Sequence, residues 1–219
     1  MVFALMNRGW FVTLEGIEGS GKTTQAELLA SALRSRGDMV TVTREPGGTR
    51  AGEFIRAIFL DSNISLEPTT ELLLVLADRA QHVREQLRPA LENGQIVISD
   101  RYSDSTTAYQ GYGRGLDLKL VRSLNHLATG GINADLTIVL DCPPEVGLER
   151  TLARAHGAAR ASDRFEGEQI EFHRRVREGF RAIASEGPSR IVLLDSTEAT
   201  HVVSSRILRL AVARLAARP

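Results

Sequence analysis

The stretch Gly16-Ile17-Glu18-Gly19-Ser20-Gly21-Lys22-Thr23 places glycine, glycine, lysine and threonine at the spacing G-x-x-x-x-G-K-[ST]. Glycines let successive backbone N–H groups turn inward around a phosphate, and a helix beginning at Lys22 would add the positive end of its dipole. Lys22 can reach the outer phosphates of a nucleotide, and the Thr23 hydroxyl can ligate Mg²⁺. Gly16, Ile17, Glu18, Gly19, Ser20, Gly21, Lys22, Thr23 and the neighbouring Thr24 are therefore the candidate ATP-binding residues. A glycine-rich turn capping an ordinary helix is the plainer alternative, but such a turn seldom needs three glycines.

Two further polar clusters follow apolar runs. Arg44-Glu45-Pro46-Gly47-Gly48-Thr49 comes after MVTVTR, and Asp100-Arg101-Tyr102 comes after QIVIS. A carboxylate at a strand end beside a phosphate loop is a partner for Mg²⁺, directly or through water, which makes Asp100 a metal candidate beside Thr23. Arg101 can grip a second phosphate in bidentate fashion. Neither D-x-x-G nor N-K-x-D occurs in the chain, so a guanine-specific switch is disfavoured.

These residues need a scaffold. Five short apolar runs, WFVTLE, MVTVTR, QIVISD, DLTIVLD and RIVLLD, read as buried strands, and amphipathic stretches of helical spacing separate them. Alternating strands and helices predict a doubly wound α/β fold: a five-stranded parallel sheet with helices on both faces and ligands at the C-terminal strand ends. The longest helical pattern runs from Thr69 to Leu87, after Pro68 and ahead of Pro89 and Asn93-Gly94. The Arg-, Ala- and Gly-rich segment 153–168 reads as an exposed, mobile insertion.

Lys plus Arg and Asp plus Glu number 27 each across 219 residues, so no net field favours nucleic acid or an anionic membrane. The single cysteine, Cys142, excludes an internal disulfide framework and fits a reducing compartment. MVFALM is too short for a secretory core, and no later run approaches a membrane span. One domain covering residues 1–219, soluble and cytoplasmic, is the expectation.

Together the motifs resemble the thymidylate kinase family of P-loop nucleoside monophosphate kinases. L-E-G-x-E-G-x-G-K-T-T-Q, T-R-E-P-G-G-T, A-D-R-A-Q-H-V, D-R-Y-x-D-S-x-x-A-Y-Q-G and a late D-R-F-E occur in that family's order from about Phe11 onward. The resemblance implies transfer of the ATP γ-phosphoryl to dTMP, with Mg²⁺, by a homodimer. It assigns Glu18 to the sugar of the acceptor, and Arg56 and Arg101 to its phosphate. Arg79 falls to the thymine carbonyl, with Glu45, Pro46, Ser105, Thr106, Tyr109 and Gln110 in the dTMP pocket. Thr106, Tyr109 and Gln110 fall on the wall that reads the base edge and excludes a ribose 2′-hydroxyl.

Val75 departs from the family pattern, which places Phe one helical turn before the thymine-reading arginine. Valine covers a pyrimidine but forfeits a stacking contribution on the order of 1 kcal/mol. Gly19 stands where one subgroup carries an arginine in the phosphate loop, so the resemblance is to the bacterial subgroup whose lid supplies that charge. Arg150, Arg154, Arg160 and Arg164 lie on or beside this lid; Arg154 and Arg164 are the leading catalytic candidates, and Arg150 is assigned to ATP. A kinase of another deoxynucleoside monophosphate, and a regulatory P-loop ATPase module, are the competing readings.

Overall fold

The computed structural model describes residues 8–157 and 164–218, with the side chains of 154–157 outside that description. Strands β1 (Trp10–Glu15), β2 (Val40–Arg44), β3 (Ile96–Asp100), β4 (Leu136–Asp141) and β5 (Ile191–Asp195) form one sheet in the order β2-β3-β1-β4-β5. Every pairing is parallel, with Val12 opposite Ile98 on one side and Leu136 on the other. All five strands lie where the apolar runs predict them. Alternation divides each strand between two cores. Val12, Leu14, Ile98, Ile138 and Leu140 face α1 (Lys22–Arg34) and α9 (Thr200–Ala216), while Phe11, Val97 and Val139 face the other helical layer. Burial on both faces is why the central strands β1, β3 and β4 read as continuous apolar runs, while the edge strands β2 and β5 are partly exposed.

The remaining helices are α2 (Arg50–Leu60), α3 (Pro68–His82), α4 (Arg88–Glu92), α5 (Ser103–Thr106), α6 (Leu118–Thr129), α7 (Pro144–Gly157) and α8 (Ile170–Glu186). The helix expected to stop at Leu87 runs on: a π-helical turn, Val83–Leu87, links α3 to α4. Pro89 directly follows the π-helical turn, in the first turn of α4, and Gly94 at φ 73° ends the run. A second π-helical turn, Thr107–Gly113, follows α5 and turns Tyr109 and Gln110 inward. The insertion expected to be exposed is helical up to Gly157, and past residue 163 it packs back on the body. Phe165 is 4% exposed among Phe59, Tyr109 and Phe172, because its ring completes an apolar cluster that the local sequence does not reveal.

Candidate active site

The phosphate loop joins β1 to α1 with Gly21 at φ 97° as the helix cap, and Gly19 and Gly21 line a cavity. Lys22 is buried, and its Nζ donates to the Ile17 carbonyl at 2.6 Å and Ser20 Oγ at 3.3 Å. Burial, then the Arg101 charge, lowers its pKa to about 8 against the opposing pull of Asp100, Glu18 and Glu15. The lysine thus keeps its charge at neutral pH, poorly solvated and available to an anion.

Thr23 and Asp100, 77 residues apart, meet because β1 and β3 are neighbours: the Thr23 hydroxyl donates to Asp100 Oδ2 at 2.5 Å beside Lys22. One hydroxyl and one carboxylate at the mouth of the loop suit Mg²⁺, a hard cation that takes few protein oxygens and retains several waters.

Arg101, next along the chain, adopts φ 75°, a left-handed conformation costly for a side chain with a Cβ. Its guanidinium bridges the two sides of the site. Nη1 donates to Gly16 O and Ser105 Oγ, both at 3.0 Å, and Nη2 donates to Glu18 Oε1 at 2.8 Å and the Tyr109 hydroxyl at 3.0 Å. The Tyr109 hydroxyl in turn donates to Glu18 Oε1 at 2.6 Å. Burial alone would raise the Glu18 pKa, but the His173 ring 3.3 Å from Oε2, Arg101 and Lys22 bring it down to about 2. Glu18 is therefore a fixed anion, walled between the phosphate loop and Tyr109.

Past Arg101 the cavity, about 420 Å³, opens onto a second set of cations. Arg56 donates from Nη1 to the Pro46 carbonyl at 2.7 Å, and burial lowers its pKa. Arg79, 2% exposed, donates from Nε to Glu45 Oε2 at 2.8 Å and from Nη1 to Thr106 Oγ1 at 2.9 Å and Asn125 Oδ1 at 2.6 Å. Its Nη2 makes no bond among the described residues. Glu45 also takes His82 Nδ1 at 2.8 Å, so Arg79 is held by a carboxylate that is itself anchored. Asp78 accepts from Gly47 N at 2.9 Å, and burial followed by the Glu45 charge raises its pKa to about 6.

Val75 lines this cavity, 7% exposed, in the same apolar cluster as Phe59, Tyr109 and Phe165. Aromatic surface thus reaches the pocket from α2 and from the segment that follows residue 163. Glu45, Pro46, Ser105, Thr106, Tyr109 and Gln110 also line it, as do Gly19, Gly21 and Thr24. Gly16, Ile17 and Ser20 are not among its lining residues, and Ile17 packs in the core.

The arginines assigned to the lid are separated by the fold. Arg150 donates to the carbonyls of Ser196 at 3.0 Å and Thr197 at 3.3 Å, tying α7 to the turn after β5. Arg164 is clasped against α2 and α3, where Nη1 donates to Glu71 Oε2 at 2.8 Å and Nε to Phe59 O at 3.1 Å. The Arg154 side chain, and Arg160 with Asp163, lie outside the described residues. Thr151, three residues before Arg154 on α7, lines the cavity.

Several residues of the site go unmarked by the sequence. Glu15, at the end of β1, is fully buried; its carboxyl accepts from Tyr102 N at 2.8 Å and Ser105 Oγ at 2.5 Å, and burial followed by Asp104 raises its pKa to about 8. Its position at the C-terminal end of an apolar run beside the phosphate loop was the available signal. Phe59, Glu71 and His173 carry no local mark, since each reads as an ordinary helix residue, and Phe165 is marked only as part of the D-R-F-E string.

The model of the thymidylate kinase family matches residues 14–207. The thymidylate kinase of Geotalea uraniireducens (strain Rf4) is 50% identical over 210 residues, covering 95% of this chain and 99% of that protein. The thymidylate kinase of Synechococcus sp. (strain JA-2-3B'a(2-13)) is 51% identical over 205 residues, 94% of this chain and 95% of that protein. Among solved structures, the crystal structure of thymidylate kinase from Ehrlichia chaffeensis superposes with a TM-score of 0.75 at 34% identity, covering 93% of this chain and 99% of that one.

Proposed function

The chain belongs to the thymidylate kinase family and is an ATP-dependent phosphotransferase that converts dTMP to dTDP, and on that premise we propose how its residues divide the reaction. Lys22 and the loop N–H groups hold the outer phosphates of ATP. Thr23 and Asp100 would hold Mg²⁺, which supplies charge neutralisation on the phosphates. Arg56 and Arg101 grip the dTMP phosphate, Glu18 lies against its sugar, and Arg79 with Gln110 meets the thymine edge. Tyr109, bonded to Glu18 at 2.6 Å, closes the wall that a ribose 2′-hydroxyl would have to enter.

A dTMP phosphate oxygen attacks the γ-phosphorus, the bond from that phosphorus to the bridging oxygen breaks, and ADP departs. The chain need form no covalent intermediate; it brings two anions together, excludes water and offsets the charge. Arg101 is placed for this because it touches the phosphate loop and the acceptor wall at once. Among the lid arginines, Arg154 is the better candidate for the transferring phosphoryl, since Thr151 one turn earlier lines the cavity, whereas Arg164 is engaged by Glu71.

The observation that carries this reading is one cavity lined by Lys22 together with Arg56, Arg79 and Arg101. A regulatory nucleotide-binding module has no use for the second set. A preference for another deoxynucleoside monophosphate is not favoured beside half-identical thymidylate kinases over most of the chain. The test is a coupled assay of pure protein across monophosphate acceptors, with and without Mg²⁺, and with Lys22→Ala. dTDP formation that requires the metal and drops by orders of magnitude in Lys22→Ala is expected; better turnover of another monophosphate would overturn the assignment.

We further propose that residues 1–219 act as one kinase unit with a lid at about 153–168, and that two copies pair. Exposed Phe54 and Ile58 on α2, Leu73 on α3 and Leu120 and Leu127 on α6 put apolar surface on three helices packed in succession, which favours burial against a second copy. No helix among the described residues is long and apolar enough to cross a membrane. A cytoplasmic place accords with the lone Cys142, a buried thiol whose pKa burial raises.

A further inference from the structure

Glu71, in the first turn of α3, is fully buried, yet its two oxygens receive donors from three side chains. Oε1 accepts from Gln110 Nε2 at 2.6 Å and Arg114 Nε at 3.2 Å; Oε2 accepts from Arg114 Nη2 at 2.9 Å and Arg164 Nη1 at 2.8 Å. Arg114 is held in turn by Glu168 at 2.6 Å. Clamped by two guanidiniums, the Glu71 carboxylate has one orientation.

A carboxylate accepts hydrogen bonds and cannot donate them, so Gln110 must turn its amino group toward Glu71. The planar amide then holds Gln110 Oε1 on its other arm, turned away from Glu71. Gln110 is 2% exposed, lines the cavity, and its Oε1 makes no bond among the described residues. The pocket is therefore given a hydrogen-bond acceptor where a freely rotating amide would offer either sign.

We propose that Glu71 is a positioning residue that fixes Gln110 as an acceptor toward the base and so selects a pyrimidine carrying a proton on ring N3 over one with a lone pair there. The inference rests on the reading of Gln110 as a base-edge residue in the proposed function. Thymine presents N3–H to Gln110 Oε1; cytosine presents a lone pair to a lone pair, which leaves both acceptors desolvated and unpaired. Arg114 and Arg164 serve this selection indirectly, by keeping Glu71 from rotating.

The test compares kcat/KM for dTMP and dCMP at saturating ATP in the wild type and in Glu71→Gln. An amide at position 71 can donate to Gln110 Oε1, which frees Gln110 to present its amino group to the base. The expected result is a fall of about tenfold or more in the preference for dTMP over dCMP, expressed in the KM of the acceptors, with the KM for ATP unchanged. A merely structural role would lower thermal stability and slow both acceptors in proportion, and an unchanged preference would overturn the proposal. If Glu71→Gln does not fold, Glu71→Asp, which withdraws the carboxylate by one methylene, reads the same ratio and decides in the same way. A wild type that does not prefer dTMP would overturn the reading of Gln110 itself; a wild-type preference that survives substitution at Glu71 would overturn the Glu71 assignment alone.

Discussion

Gly19 and Gly147 pack backbone against backbone: a Cβ built on Gly19 would come within 1.9 Å of the Gly147 carbonyl oxygen, and one on Gly147 within 2.4 Å of Glu18 O. Gly19 also holds φ at 70°. The phosphate loop and α7, the helix that leads to the lid, touch here with no room for a side chain on either. An arginine at position 19 would need about 1–2 kcal/mol for the left-handed backbone alone, before α7 moved aside. The close approach of Gly147 thus gives a steric reason why position 19 carries no arginine.

Gly19→Arg should accordingly lower thermal stability and kcat together, and it should fail to restore activity when combined with Arg154→Ala. Thermal denaturation and steady-state rates of the single and double variants check this. A stable Gly19→Arg protein that rescues Arg154→Ala would show that α7 yields easily.

Arg154 and Arg164 should separate kinetically. Arg164 donates to Glu71 and Phe59 O on the acceptor side, so Arg164→Ala should raise the KM for dTMP several-fold and change kcat less. Arg154→Ala should lower kcat at least tenfold with smaller changes in either KM, the mark of a charge that acts on the reacting complex. Initial rates over a grid of ATP and dTMP concentrations read both; the reverse pattern would exchange their roles.

Glu15 should impose a pH dependence on stability. In the fold its proton is retained up to about pH 8, whereas the unfolded chain releases it near 4.5, so the folded state binds more protons between those values. Stability from this group is fully present below about pH 4.5 and falls as pH rises toward 8, by at most about 1.4 kcal/mol per pH unit. Glu15→Gln, neutral and of the same shape, should flatten that slope and lose less Tm than the wild type between pH 5 and pH 8. Parallel Tm curves would place the proton elsewhere.

Val75→Phe would restore the ring that the family pattern expects, but Val75 already packs with Phe59, Tyr109 and Phe165. The added ring should overpack that cluster, at a cost of about 1–3 kcal/mol in stability, and should raise the KM for dTMP while leaving that for ATP alone. Tm and KM measured together decide it; tighter dTMP binding in an equally stable protein would show that space for a ring remained beside the base.

The residues named for the acceptor pocket came from the family resemblance, whereas the five strands and the phosphate loop were determined by the sequence itself. These follow from short-range physics: alternation and β-branching along a strand, glycines where backbone N–H groups must converge, and polar residues just past a buried run. Even the meeting of Thr23 with Asp100 was legible, since ligands of a parallel sheet gather at its C-terminal edge. The tertiary structure alone decided what each side chain is occupied with. Arg164 looks free in the string Asp163-Arg164-Phe165-Glu166, yet it is clasped by Glu71, 93 residues away. Glu71, in the first turn of α3, is buried and accepts from Gln110, 39 residues on. The contact of Gly19 with Gly147, which leaves no room for an arginine in the loop, likewise depends on how closely two distant backbones approach. Such relations are set by packing between elements far apart in the chain, and no local pattern encodes which charges will meet once water is excluded.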